Sequence, residues 1–145
     1  MKLSTHELAW SAGLFDGEGH AKFKCCKRNI KTNSKYSINR SFTIGLEVGQ
    51  IDRRVLDRFK NAVGGIGQIY GPYKYNNNHQ VFKFATGKFE HVQAVVALLW
   101  RWLSPVKRDQ IKAMLLAQKS YPRFKRGRKS NIQRAEKDKY TNVAA

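Results

Sequence analysis

Apolar positions in the first third of the chain change from helical to strand spacing. Over residues 5–16 they recur three and four positions apart, which predicts a helix that stops at the glycines that follow. Residues 20–28 and 37–49 instead alternate between apolar and polar side chains, as half-buried β-strands do. We therefore expect two strands joined by a polar turn at 29–35.

Each strand of this predicted hairpin has one apolar and one polar face. Alternation places Ala21, Phe23 and Cys25 on the apolar face of the first strand, with basic residues between them. Ile44 and Leu46 lie on the apolar face of the second strand. Because an apolar face must be covered, we expect helices on that side of the sheet and solvent on the other.

The same two patterns repeat further along the chain. Asp52 is suited to cap a helix whose apolar stripe ends at the glycine pair 64–65. Residues 66–73 and 80–86 are typical of a strand pair around a polar loop. Residues 88–103 again have helical spacing, which predicts a further helix.

The order of these elements indicates the fold class. Ser104 and Pro105 are the N-cap and first residue of a last predicted helix. The order αββαββα predicts an α+β domain over residues 1–120, with a four-stranded antiparallel sheet that has helices on one face. Residues 121–145 carry eight Lys or Arg against two acids and lack a clear pattern, so we expect a basic tail that orders only on a polyanion.

The net charge of the chain indicates which class of ligand it binds. Twenty-eight Lys and Arg against ten Asp and Glu give a formal net charge of +18, which favours nucleic acid as the ligand. The sequence contains neither a secretory signal pattern nor an apolar run long enough for a membrane span. We expect a soluble, intracellular protein that does not bind a membrane.

Two local charge patterns contradict the preferences of helices. Asp16 and Glu18 lie at the C-terminal end of the first predicted helix, where the helix dipole disfavours acids. Lys107 and Arg108 lie in the first turn of the last predicted helix, where it disfavours cations. Departures of this kind are frequent at functional sites. The alternatives are a solvated carboxylate in a turn and a surface lysine beside Asp109.

Residues 11–19, SAGLFDGEG, resemble the nine-residue motif that names the LAGLIDADG homing endonucleases. The matching letters are Ala12, Gly13, Leu14, Asp16 and Gly19, and the departures are Ser11, Phe15, Gly17 and Glu18. The predicted order of elements over residues 5–120 agrees with that family. The resemblance implies a DNA-binding saddle formed by the free sheet face and metal-dependent cleavage of both strands at a long site, in the setting of intron homing.

The resemblance also implies the catalytic residues. Glu18, with the backbone carbonyl of Gly17, would bind Mg²⁺ or Mn²⁺, because hard cations prefer oxygen ligands. Gln50 would position the attacking water, while Lys107 and Arg53 would stabilise charge at the phosphate. The residues alone also allow non-catalytic roles. Gln50 could be an amide that hydrogen-bonds the backbone at the end of a strand, and Arg53 could be a solvated residue in the first turn of the helix capped by Asp52.

DNA recognition would use the polar face of the sheet, since a two-stranded ribbon fits the major groove. The expected contacts are Lys22, Lys24, Cys26 and Arg28 on the first strand, Asn39, Ser41, Thr43 and Glu47 on the second, Gln68 and Tyr70 on the third, and Lys83 on the fourth. Glu47 could accept a hydrogen bond from cytosine or form an ion pair with a neighbouring lysine.

One copy of the motif supplies half of a catalytic centre. Ala9, Gly13 and Gly17 are small residues four positions apart, so a second helix can approach closely. We expect a homodimer that cuts a roughly palindromic site, with Ala9, Ala12, Gly13 and Asp16 at the interface.

Three other functions are compatible with the sequence. An intron maturase of the same fold would bind intron RNA through the basic face, and a non-catalytic regulator would bind DNA without cutting it. A basic ribosome-associated protein with a chance motif would be monomeric and indifferent to metal.

Overall fold

In the computed structural model of the protein, helices cover one face of a four-stranded antiparallel sheet. The structure describes residues 3–32, 35–75 and 79–120, and the side chains of these residues except those of 26–41. The predicted basic tail therefore lies outside the described residues. The α+β class and the αββαββα order are confirmed, and the further helix predicted to begin at Pro105 follows them.

The helices and strands follow the predicted order. Along the described chain they are α1 Thr5–Glu18, β1 Gly19–Thr32, β2 Lys35–Gln50, α2 Arg53–Ala62, β3 Gln68–Lys74, β4 Gln80–Thr86, α3 Phe89–Leu99 and α4 Pro105–Ser120, with a short 3₁₀ turn at Trp100–Trp102. The strand order is β1-β2-β4-β3, so β2 and β4 are central. The long hairpin pairs Gly19 with Val48 at its base and Thr32 with Lys35 near its tip.

Three predicted boundaries differ from the structure. The helix expected over 5–16 continues to Glu18, and the strands of the hairpin run through most of the turn expected at 29–35. The helix expected over 88–103 gives way to the 3₁₀ turn after Leu99. Backbone pairing and tertiary packing extend or end these elements, and the spacing of apolar side chains does not report either effect.

Gly19 is required at the junction between α1 and β1. Its backbone is extended, and its N–H donates to the Phe15 carbonyl oxygen. A Cβ atom at this position would overlap the ring and the carbonyl oxygen of Phe15, which is itself fully buried. The chain can therefore turn directly from helix to strand at this point without a loop.

The core lies between the helices and the two central strands. Its largest fully buried side chains are those of Phe15, Phe59, Phe84, Leu46, Leu56, Leu99 and Ile111. The rings of Phe59 on α2 and Phe84 on β4 meet edge to face, with centroids 4.9 Å apart. This contact joins the helix layer to the sheet.

Burial decreases along the hairpin away from the helices. Leu46 and Val48 are buried, Phe23 is only half-buried, and Cys25 is exposed. The prediction that Cys25 faces the core is therefore wrong. A strand of 14 residues is roughly 45 Å long, so the apolar side of its distal part extends beyond the helices that cover its base.

Among the described residues, none of the helices has the length and apolar character needed to cross a membrane.

Candidate functional site

The two acids of the motif have different environments. The Ser104 N–H donates to both carboxylate oxygens of Asp16, at 2.9 and 3.1 Å, and the Ser104 hydroxyl donates to the same carboxylate at 3.1 Å. Asp16 thus places its negative charge at the N-terminus of α4, where the helix dipole favours it. Glu18 is exposed and takes part in no hydrogen bond or ion pair with the described residues.

The cations at the start of α4 bind backbone carbonyls. Lys107 is only 8% exposed, and its Nζ donates to the Gly19 carbonyl oxygen at 2.7 Å. This contact brings a positive charge to the C-terminal end of α1, where the dipole favours it. Arg108 donates to the carbonyl oxygens of Trp100 and Arg101 at 3.0 and 2.9 Å. The ammonium of Lys107 is thus bound at the α1–β1 junction, and its contact with a phosphate stays a prediction.

Ser104 has the predicted capping role. Its hydroxyl accepts a hydrogen bond from the Lys107 N–H at 3.3 Å, and its carbonyl oxygen accepts one from the Arg108 N–H at 3.0 Å. Ser104 therefore caps α4 and donates to Asp16 at the same time. The start of α4 is joined to the end of α1 by two separate contacts, Asp16 with Ser104 and Lys107 with Gly19.

Glu18 opens onto the polar face of the sheet. It lines a groove of about 440 Å³ together with His20, Lys22, Glu47, Tyr75 and Lys83. We call this space the Glu18 groove. The alternation and register of the strands place His20 and Lys22 of β1 beside Glu47 of β2, and Lys83 of β4 on its other side. The Glu18 carboxylate, which pairs with no residue in the described part of the chain, therefore shares one concave surface with the basic sheet face.

Glu47 is paired with lysines from both neighbouring strands. It forms an ion pair with Lys22 and another with Lys83, whose Nζ lies 3.4 Å from the carboxylate. Burial raises the pKa of the Glu47 carboxyl, but the hydrogen bonds and charges of these lysines outweigh it, so the pKa lies below its ordinary value. Of the two roles considered for Glu47, the structure contains the ion pair.

The other predicted contact residues occupy the same face where their side chains are described. Lys24, Thr43, Gln68 and Tyr70 are all exposed, and the register sets Lys24 opposite Thr43 and Tyr70 opposite Lys83. The side chains of Cys26, Arg28, Asn39 and Ser41 lie outside the described ones. Tyr73 and Tyr75 extend the exposed face along β3 and beyond its end.

Gln50 and Arg53 occupy the end of β2 and the start of α2, and Gln50 follows Gly49, which lines the Glu18 groove. Gln50 ends β2, pairs in register with Phe82 and is half-buried. Arg53 begins α2, and its Nε lies 3.6 Å from the Asp57 carboxylate. Neither residue lines the Glu18 groove in the part of the chain that the structure describes.

The predicted dimer interface divides into exposed and buried residues. Gly13 and Gly17 are exposed, and a Cβ atom at either would meet no atom within 4 Å. Ala9 is partly exposed. Ala12 is fully buried in its own core and has no surface to offer a second copy, so its assignment to the interface is wrong. The Asp16 carboxylate binds Ser104 within the chain, and the place of Asp16 at the interface stays a prediction.

A divalent metal fits this site only with few protein ligands. No group of three or more His, Cys, Asp or Glu side chains lies close enough to bind a metal within the described ranges. Glu18 nevertheless offers a free carboxylate, and carbonyls in the last turn of a helix, such as that of Gly17, have no partner within the helix. Mg²⁺ binds oxygen donors and commonly uses only one or two carboxylates, so the donor set suits it.

Sequence reasoning missed four of the described residues that line the groove, His20, Gly49, Tyr75 and Val81. His20 has the same strand phase as Lys22, so alternation could have placed it on the polar face. Tyr75 lies just beyond β3, and only the pairing of β3 with β4 brings it near Glu18.

The fold is similar to those of solved homing endonucleases. The homing endonuclease I-CvuI, in complex with the I-CreI target and magnesium, is similar with a TM-score of 0.62 and 23% identity over 85% of this chain and 74% of that one. The group I intron-encoded homing endonuclease I-CeuI, complexed with DNA, has a TM-score of 0.56 and 10% identity over 80% of this chain and 55% of that one. The LAGLIDADG homing endonuclease I-GzeII, in complex with a DNA target, has a TM-score of 0.53 and 13% identity. The match covers 83% of this chain and 39% of that one.

Comparison of the sequence with family models and with curated proteins gives no match.

Proposed function

We propose that this chain, whose fold is that of the LAGLIDADG homing endonucleases, is a homodimeric, metal-dependent DNA endonuclease that makes staggered double-strand breaks at a roughly palindromic site. The observation that carries the proposal is the carboxylate of Glu18, which ends the motif helix, opens onto the basic face of the sheet and has no partner among the described residues. A protein that only bound nucleic acid would not need that carboxylate to be unpaired.

The sheet face supports double-stranded DNA as the ligand. Lys24, Thr43, Gln68 and Tyr70 present polar groups from the two edge strands and from β2, and the chain has a net charge of +18. Side chains two apart along a strand can meet successive base edges in the major groove. I-CvuI, I-CeuI and I-GzeII, which share the fold, were each solved with DNA.

Glu18 and the carbonyl oxygen of Gly17 are the proposed ligands of Mg²⁺ or Mn²⁺. When bound, such an ion stabilises charge on the phosphate oxygens and makes water a better nucleophile. We propose that Gln50 orients the water and that Arg53 contacts phosphate. Lys107, whose ammonium binds the Gly19 carbonyl at the end of α1, is proposed to stabilise charge at the phosphate.

A second copy of the chain would complete the site. Each chain contributes one Glu18, whereas cleavage of two strands needs two such carboxylates. The exposed backbone at Gly13 and Gly17, with Ala9 one turn before Gly13, allows a second α1 to approach closely. The two-fold axis would then pass between the paired helices, and the target would share its symmetry.

Substitution of Glu18 by Gln tests the function. The amide keeps the shape of the side chain but loses the charge, so we expect the variant to bind DNA within about twofold of the parent and to lose metal-dependent cleavage. A target duplex is first selected from randomised DNA by binding, and binding and cleavage are then measured on that duplex with Mg²⁺. Calcium, with its looser coordination, should support binding with little cleavage.

Glu90→Gln is the matched control, because it removes an exposed acid from α3, outside the Glu18 groove. It should cut as the parent does. Cleavage by Glu18→Gln at the parental rate would refute the assigned site, and a parent that binds the duplex but never cuts it would favour the regulator or, with an RNA ligand, the maturase.

A further inference from the structure

The described residues that line the Glu18 groove include two carboxylates and two lysines, and these are not paired evenly. Glu47 forms ion pairs with both Lys22 and Lys83, while Glu18 forms none with any described residue. An arrangement in which each carboxylate takes one lysine would have the same composition. The structure therefore concentrates both positive charges on the acid that is not the proposed metal ligand.

Glu47 is placed to attract both lysines. It lies on β2, and its neighbours across the sheet are β1, which carries Lys22, and β4, which carries Lys83. Its side chain is 21% exposed, less than those of Lys22 at 47% and Lys83 at 36%. Opposite charges attract more strongly as solvent is excluded. Glu47 is less exposed than Glu18 and is therefore the better partner for the lysines.

The lysines would otherwise compete for Glu18. A lysine side chain is long and flexible, so an ammonium group released by Glu47 can find another acceptor in the same groove. Glu18 is the other carboxylate that lines it. An ammonium bound to Glu18 would occupy the oxygens that a divalent cation needs and would repel that cation.

We propose that Glu47 is a positioning residue that holds Lys22 and Lys83 away from Glu18 and thereby leaves the Glu18 carboxylate free to bind a divalent cation. The inference rests on the proposed function of Glu18 and deepens it. Glu47 would thus act on the metal site without binding the metal. When no DNA is bound, Lys22 and Lys83 are paired with Glu47.

The test measures binding of Mn²⁺ to the full chain in the absence of DNA. Mn²⁺ is paramagnetic and broadens the NMR signals of nearby backbone amides, so the amides of Gly17 and Gly19 report occupancy at Glu18. For Glu47→Gln we expect the midpoint of broadening to require at least about threefold more Mn²⁺, since two competing lysines of ordinary ion-pair strength are released. Thermal unfolding measured by circular dichroism should show the same cooperative transition.

The decisive comparison uses a background in which Lys22 and Lys83 are both Met. If Glu47 acts by holding these lysines, Glu47→Gln should raise the midpoint clearly less in that background than in the parent, where it releases them. An equal loss of Mn²⁺ affinity in both backgrounds would mean that Glu47 attracts the cation directly, and this would overturn the inference. Glu90→Gln controls for the change in net charge and should keep the parental midpoint.

Failure of the inference is distinguishable from failure of the proposed function. If Glu18→Gln leaves the broadening at Gly17 and Gly19 unchanged, the metal site is not at Glu18 and both proposals fall. If Glu18→Gln removes the broadening but Glu47→Gln keeps the parental midpoint, Glu18 is the ligand and only the role of Glu47 is refuted.

Discussion

At the scale of single residues, strand alternation separates a side chain that serves stability from one that serves binding. Phe23 and Lys24 are neighbours on β1, yet Phe23 packs against the core and stacks on Phe42, with ring centroids 5.5 Å apart. Lys24 is exposed on the opposite face, across from Thr43. Adjacent substitutions should therefore affect different properties of the protein.

Lys24→Ala should weaken DNA binding, with little change in the melting temperature. If the lysine contacts a phosphate, the slope of log K against log salt should fall by about one. Lys119→Ala removes the same charge from an exposed position in the last turn of α4, outside the predicted DNA-binding residues, and should bind nearly as the parent does. Equal losses of binding in the two variants would mean that net charge, and not the sheet face, determines affinity.

Phe23→Ala should instead lower the free energy of unfolding by about 2 kcal/mol, less than the roughly 3–5 kcal/mol of a fully buried phenylalanine, because this ring is half-buried. Urea denaturation measures the change. Unchanged stability together with weak DNA binding would mean that the strand presents its faces in the opposite phase.

At the scale of elements, the start of α4 is attached to the end of α1. Asp16 accepts hydrogen bonds from the N–H and the hydroxyl of Ser104, and Lys107 binds the Gly19 carbonyl. The two contacts lie on either side of Glu18 in the sequence. They determine where α1 ends and β1 begins, and so where the free carboxylate is held.

Asp16→Asn should destabilise the fold by roughly 1–2 kcal/mol, because a charge-assisted contact at a helix N-terminus becomes a neutral one. Urea denaturation should detect the loss. Asp109→Asn, an exposed acid of the same helix paired loosely with Lys112, should change stability much less. Equal effects would indicate that the general charge near α4 matters and the contact with Ser104 does not.

At the scale of the whole molecule, the face of α1 around Gly13 has a free backbone. An added side chain at Gly13 meets nothing within 4 Å in its own chain, and leucine has a higher helix propensity than glycine. Gly13→Leu should therefore leave the monomer folded and slightly more stable. In a dimer paired through α1, the same side chain would separate the two backbones.

We therefore expect Gly13→Leu to shift the protein from dimer to monomer in sedimentation equilibrium and to lose cleavage in parallel. Ala113→Leu makes a similar enlargement at an exposed position of α4 and should remain dimeric. Circular dichroism should show that both variants stay folded. A parent that remains monomeric on its DNA and still cuts both strands would contradict the homodimer.

The sequence by itself determined the order of the elements and the fold class. Helical and strand periodicities, the caps at Asp52 and Ser104, and the glycine pair at 64–65 act through neighbours in the chain, and the structure contains each of them. The motif that contains Glu18 could also be recognised in the sequence, because it consists of particular residue types at fixed spacing. These features are local, so a linear pattern is enough to predict them.

Tertiary structure alone decided how the charges are shared. Nothing in the sequence pairs Asp16 with Ser104 or places the Lys107 ammonium on Gly19. Nor does it show that Glu47 has two lysines while Glu18 has none among the described residues. The same holds for Cys25, whose strand phase is apolar but whose position lies beyond the helices that could cover it. A side chain's partner and its exposure depend on elements brought together from distant parts of the chain, and periodicity does not contain that information.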